Sequence, residues 1–383
     1  MRAIRHCLTI DDLRGVARRR LPRLVFDFID GGARDEGSLA DNRRAFEAWH
    51  LMPRVGVDVS QRRLGTTLLG RPIAVPLVLG PTGLAGLYRP RGEMLACRAA
   101  AASGIPFCLS TNSIASIEAV AADAPGGDRW FQLYPLRDRD LMADMLRRAA
   151  ASGYDTLCFT VDLPIQGRRE RDVRNGFTLP LRPTLRTALD VMRRPAWLYG
   201  LGRNPVSFGN FATPGGTERV TSIAQHVATL FDPSADWALI AQVRKSWQGP
   251  FVVKGVMHPD DARAAVRAGA DAVIVSNHGG RQLDAVQGTC AALPGVVAAV
   301  GGEAAVLLDG GIRRGTDILK ALALGARACM IGRPFLWGLA AAGEAGVRRA
   351  IEILTAELDE AMALAGVRDL AEVTEDFVRA RNH

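Results

Sequence analysis

The segment Ser276–Asp284, with the sequence SNHGGRQLD, is the part of the chain with the clearest capacity for chemistry. Histidine transfers protons readily because an unperturbed imidazole titrates near neutral pH. A guanidinium binds a carboxylate through two parallel hydrogen bonds. His278 and Arg281 are therefore candidates for proton transfer and for anion binding, respectively. A histidine taken alone is more often an ordinary surface or core residue, and we interpret the others in that way: His6, His50, His226, His258 and His383.

The elements that must position this segment are short apolar runs that alternate with Ala-rich helical stretches. Because the runs are apolar throughout, they are typical of parallel strands covered on both faces. The predicted strands are Val75–Gly80, Pro106–Ser110, Trp130–Tyr134, Thr156–Asp162, Phe251–Gly255, Ala272–Asn277, Ala305–Asp309 and Ala328–Gly332. The predicted helices include Arg91–Ser103, Arg139–Ser152, Pro259–Ala268, Gly315–Ala323 and Phe335–Ala365.

Eight such units predict an α/β fold, namely a (β/α)8 TIM barrel with an N-terminal helical segment and a long insertion after strand 4. A doubly wound sheet is the structural alternative. It would place a GxGxxG loop after an early strand, and the sequence has none there. We expect residues 1–383 to form one barrel domain, with residues 178–234 as an insertion within it.

Polar or glycine residues follow nearly every predicted strand. In a β/α barrel the reactive groups come from the C-terminal ends of the strands. Each such residue, taken alone, is typical of a turn or a helix N-cap, but their recurrence at one end of the barrel favours a functional interpretation. The residues are Gly80, Pro81, Thr82, Gly83, Ser110, Thr111, Asn112, Gln132, Tyr134, Thr160, Asp162, Lys254, Ser276, Asn277, His278, Gly279, Gly280, Arg281, Asp309, Gly310, Gly311, Gly332 and Arg333.

Two glycine-rich segments after the last two strands predict a phosphate site. They are Asp309–Gly315 (DGGIRRG) and Ile331–Pro334 (IGRP). Glycines let backbone N–H groups approach phosphate oxygens, and arginine adds charge-assisted hydrogen bonds. Several kinds of barrel bind phosphate after strands seven and eight, so this signal does not name the ligand.

Composition and charge limit the classes of partner. Apolar residues make up 48% of the 383, the formal charge is +8 and the pI is about 9.6. The charge indicates either an Arg-rich solvated surface or attraction to anionic substrates or membranes. Nucleic acid is disfavoured, because the arginines are scattered without interleaved aromatics. The six cysteines form no CxxC pair, so we interpret them as reduced, buried apolar residues and predict no metal site.

Residues 178–234 break the strand–helix rhythm, and within them Leu181–Leu201 mixes arginines with Leu, Met, Trp197 and Tyr199. Two interpretations stay open: a lid over the active site, or a basic amphipathic patch that docks on anionic lipid. The N-terminus has no apolar core typical of a signal peptide, and no run of 18 uncharged apolar residues occurs. The sequence thus predicts a cytoplasmic protein, with peripheral contact at the inner membrane face as the alternative. The arginines are Arg182, Arg186, Arg193 and Arg194, followed by Arg203.

Further motifs along the chain carry a family resemblance. They are LPRLVFDFIDGGA from Leu21, GPTGL from Gly80, WFQLY from Trp130, TVDLPIQGRRERD from Thr160, VKGV from Val253, DGGIRRGTDILKALALGA from Asp309 and IGRP from Ile331. Together with SNHGGRQLD, they resemble the FMN-dependent (S)-2-hydroxy acid dehydrogenases and oxidases, which include glycolate oxidase, lactate dehydrogenase and mandelate dehydrogenase. The resemblance runs from about Leu8 to about Leu370 and looks closest to mandelate dehydrogenases, through GPTGL, the LST…SIE stretch and the basic insertion.

This resemblance implies FMN as the cofactor and gives the strand-end residues roles. The residues implied around the flavin phosphate are Gly310, Gly311, Gly332 and Arg333, with Asp309 and Arg313 nearby. The residues implied around the flavin ring are Pro81, Thr82, Gly83, Ser110, Gln132, Thr160 and Ser276. Lys254 would lie near the N1–C2 carbonyl, where a fixed cation stabilises the reduced flavin. The plainer interpretation of Lys254 is a buried lysine paired with a structural acid.

The resemblance further implies a 2-hydroxy acid that is oxidised to a 2-keto acid. Arg169 and Arg281 would bind its carboxylate, and Tyr134 would hydrogen-bond its hydroxyl or developing carbonyl oxygen. His278 would be the general base and Asp162 would stabilise the imidazolium, while two electrons pass to flavin N5. The carbon-bound hydrogen leaves either as a proton or as a hydride, and the sequence leaves both routes open.

Three positions depart from the family pattern. Phe28 stands where many members have a tyrosine that touches the substrate carboxylate, so carboxylate binding would depend more on the two arginines. Asn112 replaces the tryptophan of glycolate oxidases, which leaves room for a bulky or aromatic side chain. Gly83 is often Ala in oxidases, and glycine there favours an acceptor such as a quinone over oxygen.

Other functions remain as alternatives. One is an oxygen-using 2-hydroxy acid oxidase, and another is a flavin oxidoreductase acting on a peptide-linked substrate, which Phe28 keeps open. A non-redox isomerase or a flavin-bound scaffold is disfavoured, because His278, Arg169 and Arg281 are all present. The family also implies a homotetramer.

Overall fold

Eight parallel strands close into a barrel in the computed structural model, which describes residues 2–177, 184–204, 208–211 and 230–381. Each barrel strand pairs with the next one along the chain. The last strand returns to the first, where Ile331 lies opposite Leu79. The predicted (β/α)8 TIM barrel is thereby confirmed.

The strands are β1 (Trp49–Leu51), β2 (Thr66–Leu68), β3 (Arg71–Ile73), β4 (Leu77–Leu79), β5 (Phe107–Ser110), β6 (Arg129–Leu133), β7 (Thr156–Thr160), β8 (Phe251–Val256), β9 (Ala272–Val275), β10 (Ala305–Asp309), β11 (Ala328–Ile331) and β12 (Val378–Ala380). The barrel consists of β4 to β11, while β1 pairs with β12 and β2 with β3 in antiparallel ribbons. The described helices are Arg2–Arg5, Ile10–Arg20, Arg23–Asp30, Gly37–Glu47, Ala85–Tyr88, Gly92–Ala102, Ile117–Asp123, Arg139–Ala151, Glu170–Arg174, Leu185–Met192, Pro195–Arg203, Trp237–Lys245, Pro259–Arg267, Thr289–Val300, Gly315–Ala323, Arg333–Ala342 and Glu344–Ala365, with 3-10 turns at Leu370–Glu372 and Glu375–Phe377.

One predicted helix is wrong in its extent. Phe335–Ala365 forms two helices, Arg333–Ala342 and Glu344–Ala365, because the chain turns back at Gly343, whose φ of +63° suits glycine. The two helices then pack closely, since a Cβ on Gly338 or on Gly346 would collide with the carbonyl oxygen of the other. No sequence periodicity marks that turn.

The barrel interior is a packed apolar plug. Alternate residues of each strand point inward, and the inward set meets as one cluster of side chains: Val78, Cys108, Trp130, Cys158, Val252, Ala272, Ile274, Leu307, Ala328 and Met330. The β2–β3 hairpin adds Leu68 and Ile73 to this cluster and covers the N-terminal ends of the strands. Its two-residue turn has positive φ at Leu69 and Gly70, as a type I′ turn requires.

The next inward positions, two residues further along the strands, are polar. Ser110 follows Cys108, Gln132 follows Trp130, and Thr160 follows Cys158, and the same step occurs on β8, β9 and β10. The change from an apolar to a polar layer places these side chains together at the C-terminal end of the barrel. On β8, β9 and β10 the residues at this step are Lys254, Ser276 and Asp309.

The described part of the insertion lies against the N-terminal segment and the barrel mouth. The backbone N–H of Arg23 donates to Asp190 Oδ2 at 2.6 Å, and Trp197 Nε1 donates to the carbonyl of Leu87 at 2.8 Å. The remainder of the 178–234 segment, with Arg182 and His226, lies outside the described residues, as does His383. Within the described ranges, no helix has the length and apolar character needed to cross a membrane.

Trp130 makes the interior plug a testable feature, because it is 1% exposed and is the largest side chain in the cluster. Trp130→Ala should lower the free energy of unfolding by about 3–5 kcal/mol through lost burial and the cavity left behind. Chemical denaturation followed by circular dichroism measures this. Leu364→Ala, at a position that is 72% exposed, is the matched control and should change the midpoint little. Equal effects of the two substitutions would contradict the packed interior.

Candidate active site

A cavity of about 690 Å³ opens at the C-terminal ends of the barrel strands. Its volume lies within the range of small-molecule and cofactor sites. Most of the predicted site residues line it: Phe28, Pro81, Thr82, Gly83, Ser110, Asn112, Tyr134, Arg169, Lys254, His278, Arg281, Asp309, Gly310, Gly311, Arg313, Gly332 and Arg333. The other four, Gln132, Thr160, Asp162 and Ser276, do not line the cavity.

A buried lysine forms the floor of the cavity. Lys254 Nζ lies 3.0 Å from Asp309 Oδ2 and 2.9 Å from Ser276 Oγ, and Ser276 Oγ donates to Asp309 Oδ2 at 2.8 Å. Burial by itself lowers the pKa of Lys254, but the charges of Asp309 and Asp162 raise it above its ordinary value. Lys254 therefore stays a fixed cation, and Asp309 serves as its counter-ion. Because the Asp309 carboxylate is negatively charged and already pairs with Lys254, it is poorly suited to contact a phosphate directly.

His278 stands at the centre of the polar layer. Its Nδ1 lies 2.9 Å from Asp162 Oδ1, and its Nε2 lies 3.5 Å from the Tyr134 hydroxyl. The residue has a φ of +57°, an uncommon backbone conformation for a residue with a side chain. Its N–H donates to Ser276 Oγ at 3.1 Å, which helps to hold this conformation. One imidazole nitrogen is thus held by a carboxylate, and the other faces the cavity.

Asp162 is ionised in this arrangement. Burial raises the pKa of the Asp162 carboxyl, but the charge of His278, the hydrogen bond between them and the charge of Lys254 lower it, so that it lies below its ordinary value. An ionised carboxylate beside Nδ1 favours a tautomer or charge state with a proton on that nitrogen. His278 Nε2 is then the nitrogen that exchanges protons with a ligand.

Three arginines make part of the cavity wall strongly cationic. Arg281 Nη1 donates to the carbonyls of Phe28 and Gly31 at 2.7 and 3.0 Å. Arg333 donates to the carbonyls of Ile29, Gly31 and Gly279 at 3.0, 2.8 and 2.8 Å. Burial first, and then the charges of Arg169 and Arg333, lower the pKa of Arg281 to about 9. An anion bound here would relieve this repulsion.

Arg169 completes that wall with a carboxylate partner of its own. Its Nε lies 2.7 Å from Asp172 Oδ2. The cluster of Arg169, Arg281 and Arg333 therefore carries more positive than negative charge, which favours carboxylate and phosphate ligands.

The glycine segments after β10 and β11 form the other end of the cavity. Gly310 and Gly311 have φ values of +109° and +78°. A Cβ on Gly311 would collide with the backbone carbonyl oxygen of Asn42, so the helix Gly37–Glu47 can pack there only against glycine. Gly332 precedes the helix Arg333–Ala342, whose N-terminus presents N–H groups to the site. Arg313 stacks on the Trp337 ring at 4.6 Å and adds a buried positive charge.

The residues present fit a flavin mononucleotide. Asn112 Oδ1 in the cavity lining, and Gln132 Nε2 and Thr160 Oγ1 in the polar layer at the strand ends, are buried and have no hydrogen-bond partner among the described residues. Buried polar atoms without a partner indicate a missing ligand or water. The glycine segments and Arg313 supply the donors and the charge that a phosphate needs. The neutral polar groups at the bottom of the cavity suit the polar edge of the flavin ring, and the cationic glycine segments at one end suit the phosphate.

The sequence pattern gave no indication of Asn42 or of several other residues that the fold brings to the site. Asn42 and Asn277 exchange two side-chain hydrogen bonds at 2.8 and 2.9 Å and thereby tie the His278 loop to an N-terminal helix. Aromatic residues also line the cavity, and they come from loops and from the short helix Ala85–Tyr88, in which no period or motif marks them. They are Tyr88, Phe177, Phe208 and Phe231.

A barrel that carries a histidine–carboxylate pair, clustered arginines and a phosphate cradle defines the class of flavin-dependent barrel oxidoreductases. The FMN-dependent dehydrogenase family matches residues 17–380 of the chain. The L-lactate dehydrogenase of Caulobacter vibrioides is 46% identical over 373 residues, which cover 97% of either chain. That of Pseudomonas aeruginosa is 45% identical over 372 residues, with 95% of this chain and 96% of that one covered.

Solved structures give the same assignment. The monotopic membrane protein (S)-mandelate dehydrogenase superposes with a TM-score of 0.94 at 38% identity, covering 98% of this chain and 100% of that one. A mandelate oxidase superposes with a TM-score of 0.83 at 39% identity, covering 98% and 99%. The chain belongs to the FMN-dependent dehydrogenase family and is an FMN-dependent 2-hydroxy acid dehydrogenase.

The pairing of Asp162 with His278 predicts a pH-dependent contribution to stability. Because the pKa of folded Asp162 is lowered, the contribution is fully present above the ordinary value of about 4 and is lost as the pH falls through the lower folded value. Asp162→Asn should cost about 1–3 kcal/mol at pH 7. Urea titrations across the pH range measure the difference from wild type.

The matched control for that series is Asp11→Asn, because Asp11 is exposed on the helix Ile10–Arg20. It should change the urea midpoint little at any pH. A difference between wild type and Asp162→Asn that stayed constant from pH 7 to pH 3 would show that the carboxylate charge is not the stabilising feature.

Proposed function

We propose that the protein oxidises an (S)-2-hydroxy acid with a bulky or aromatic side chain, such as mandelate, to the corresponding 2-keto acid. The observation that carries the proposal is that His278, whose Nδ1 is held by Asp162, lines the same cavity as Arg169, Arg281 and Tyr134. A proton acceptor and a carboxylate-binding wall in the same cavity suit a substrate that carries a hydroxyl next to its carboxylate.

Arg169 and Arg281 bind the substrate carboxylate and fix its orientation. Their planar guanidiniums suit bidentate binding of that group. Among the described residues, Arg281 donates to the neutral carbonyls of Phe28 and Gly31 and pairs with no carboxylate, so its charge is available for the substrate. With the carboxylate held there, the adjacent hydroxyl is directed to the side of the cavity that holds His278 and Tyr134.

His278 Nε2 accepts a proton of the substrate, which is the hydroxyl proton if the carbon-bound hydrogen leaves as a hydride and the carbon-bound proton if it does not. Asp162 stabilises the resulting imidazolium through Nδ1. Tyr134 donates a hydrogen bond to the substrate oxygen, and burial raises the pKa of its phenol, which keeps the hydroxyl protonated. Bound FMN supplies the two-electron acceptor. Lys254 provides a cation in the floor that favours any negative charge developing above it.

Aromatic residues around this centre support a bulky substrate side chain. The Phe231 ring lies 5.2 Å from the Tyr134 ring, and the Phe177 ring lies 4.4 Å from the Phe28 ring. Phe208 adds a third ring to the lining. Asn112 is small enough to leave space beside them, and an aromatic substrate would gain apolar and edge-to-face contacts.

Lactate is the second candidate substrate. Relatives at 45–46% identity are named L-lactate dehydrogenase, whereas the mandelate dehydrogenase and mandelate oxidase structures described above are 38–39% identical. For the electron acceptor we propose a quinone, since Gly83 leaves the backbone open where oxidases often carry a methyl group. Oxygen is the alternative acceptor.

The spectrum of bound FMN tests the reaction directly. The yellow holoenzyme should be bleached anaerobically by 2-hydroxy acids, with mandelate at least about 10-fold faster than lactate at low concentration. The reverse order would favour lactate. Reoxidation of the bleached protein by oxygen or by a quinone then identifies the acceptor.

His278→Gln should bind FMN and lose bleaching by a factor of about 10² or more, because the proton acceptor is gone. His258→Gln is the control, since that imidazole is 65% exposed at the start of the helix Pro259–Arg267. Bleaching by the His278 variant at the wild-type rate would remove His278 as the base.

We also propose a peripheral membrane contact for the two described helices of the insertion. Leu185, Met192 and Tyr199 are 80%, 59% and 65% exposed, and Arg193 stands beside them. The similar mandelate dehydrogenase is described as a monotopic membrane protein. Exposed apolar residues next to basic ones favour the surface of an anionic bilayer.

Vesicle co-sedimentation tests this contact. Wild-type protein should sediment with phosphatidylglycerol-containing vesicles and much less with phosphatidylcholine alone. Arg193→Glu should weaken binding about 10-fold or more, because it removes one charge that the anionic surface attracts and adds one that the surface repels. Arg379→Glu, at an exposed position on β12, is the charge-matched control. Unchanged binding after removal of residues 178–234 would exclude the membrane role and favour a lid.

A further inference from the structure

Phe28 lies against both arginines of the carboxylate site. The guanidinium carbon of Arg169 is 5.2 Å from the centre of the Phe28 ring, and that of Arg281 is 5.0 Å from the same centre. The Phe177 ring packs on Phe28 at 4.4 Å. One aromatic ring therefore contacts two like-charged groups and a second ring.

The two guanidiniums need such a neighbour because little else offsets their charges. Asp172 pairs with Arg169, but within the part of the chain that the structure describes Arg281 donates only to the neutral carbonyls of Phe28 and Gly31. An aromatic face carries partial negative charge and attracts a cation within about 6 Å, most strongly where water is excluded. Unlike a carboxylate, a phenyl ring stabilises the arginines without forming an ion pair that would compete with the substrate.

We infer that Phe28 is a positioning residue whose ring holds Arg169 and Arg281 together as a site for the substrate carboxylate. The inference rests on the proposed function, in which these two arginines bind that carboxylate. Phe28 acts through its ring face alone, because it has no hydroxyl. The ring of Phe28 thereby keeps the mutually repelling guanidiniums of Arg169 and Arg281 close enough to bind one carboxylate, although no hydroxyl is present at this position.

The substitution Phe28→Leu tests this directly, since it keeps an apolar side chain and removes the aromatic face. In the FMN-loaded enzyme, KM for the hydroxy acid should rise about 10-fold, as expected for the loss of cation–π contacts at a desolvated site. The effect should fall on KM rather than on kcat. The dissociation constant of a non-reacting carboxylate such as oxalate should rise by a similar factor, and the flavin spectrum can report its binding.

The charge of the ligand separates this role from a merely structural one. Phe28→Leu should weaken binding of the 2-hydroxy acid but not of the corresponding neutral 2-hydroxy amide. Phe28→Tyr and Phe28→Trp retain an aromatic face and should keep the wild-type preference for acid over amide. Phe177→Leu is the matched control, because Phe177 contacts the Phe28 ring, and it should affect acid and amide alike.

Two outcomes would overturn the inference. One is an acid-to-amide preference in Phe28→Leu equal to that of wild type, and the other is a loss in Phe28→Tyr as large as in Phe28→Leu. Failure of the proposed function looks different: wild-type FMN would not be reduced by any 2-hydroxy acid, while the oxalate comparison among the variants would still decide the role of Phe28. Wild type that bound oxalate no better than a neutral amide would overturn both.

Discussion

The burial of positive charge against the end of one helix is the interaction on which the site depends. Removing a charged group from water costs several kcal/mol unless it finds partners. Arg281 and Arg333 find theirs in the carbonyls of Phe28, Ile29 and Gly31, at the C-terminal end of the helix Arg23–Asp30. The last carbonyls of a helix lack partners within the helix and carry its negative dipole end. The buried guanidiniums thus gain acceptors, and the helix-end carbonyls gain donors.

This contact also connects two segments that are far apart in the sequence. The helix belongs to the N-terminal segment, whereas Arg281 and Arg333 follow the sixth and eighth barrel strands. Ala33 N–H donates to the Gly280 carbonyl at 2.8 Å, and the Asn42–Asn277 amide pair fixes the same loop from beneath. The N-terminal segment is therefore part of the active-site wall. The loop that carries His278 keeps its strained backbone because neighbours on several sides hold it.

The barrel and most of the polar side chains of the active site could be predicted from the sequence, because the strands and their ends differ in polarity. Parallel strands buried on both faces are apolar throughout, and their polar ends stand out against that background, as at Lys254 and Asp309. The step of two residues from an apolar to a polar layer makes this signal regular. Partners that are backbone carbonyls leave no such trace, so the contacts of Arg333 with Ile29 and Gly31 were not predictable. The break at Gly343 and the ring of Phe208 in the cavity wall likewise have no periodicity to mark them.

The hairpin that covers the N-terminal ends of the strands closes that end of the barrel to substrates and electron acceptors. Leu68 and Ile73 complete an interior in which Trp130 and its neighbours leave no passage along the barrel axis. The donor and the acceptor of electrons cannot arrive from opposite ends, as they could in a tube. Among the described residues, the cavity lies at the C-terminal ends of the strands, so both must enter from that side. A hydroxy acid and an electron acceptor that use the same cavity compete for its space, so we expect them to bind in turn rather than together.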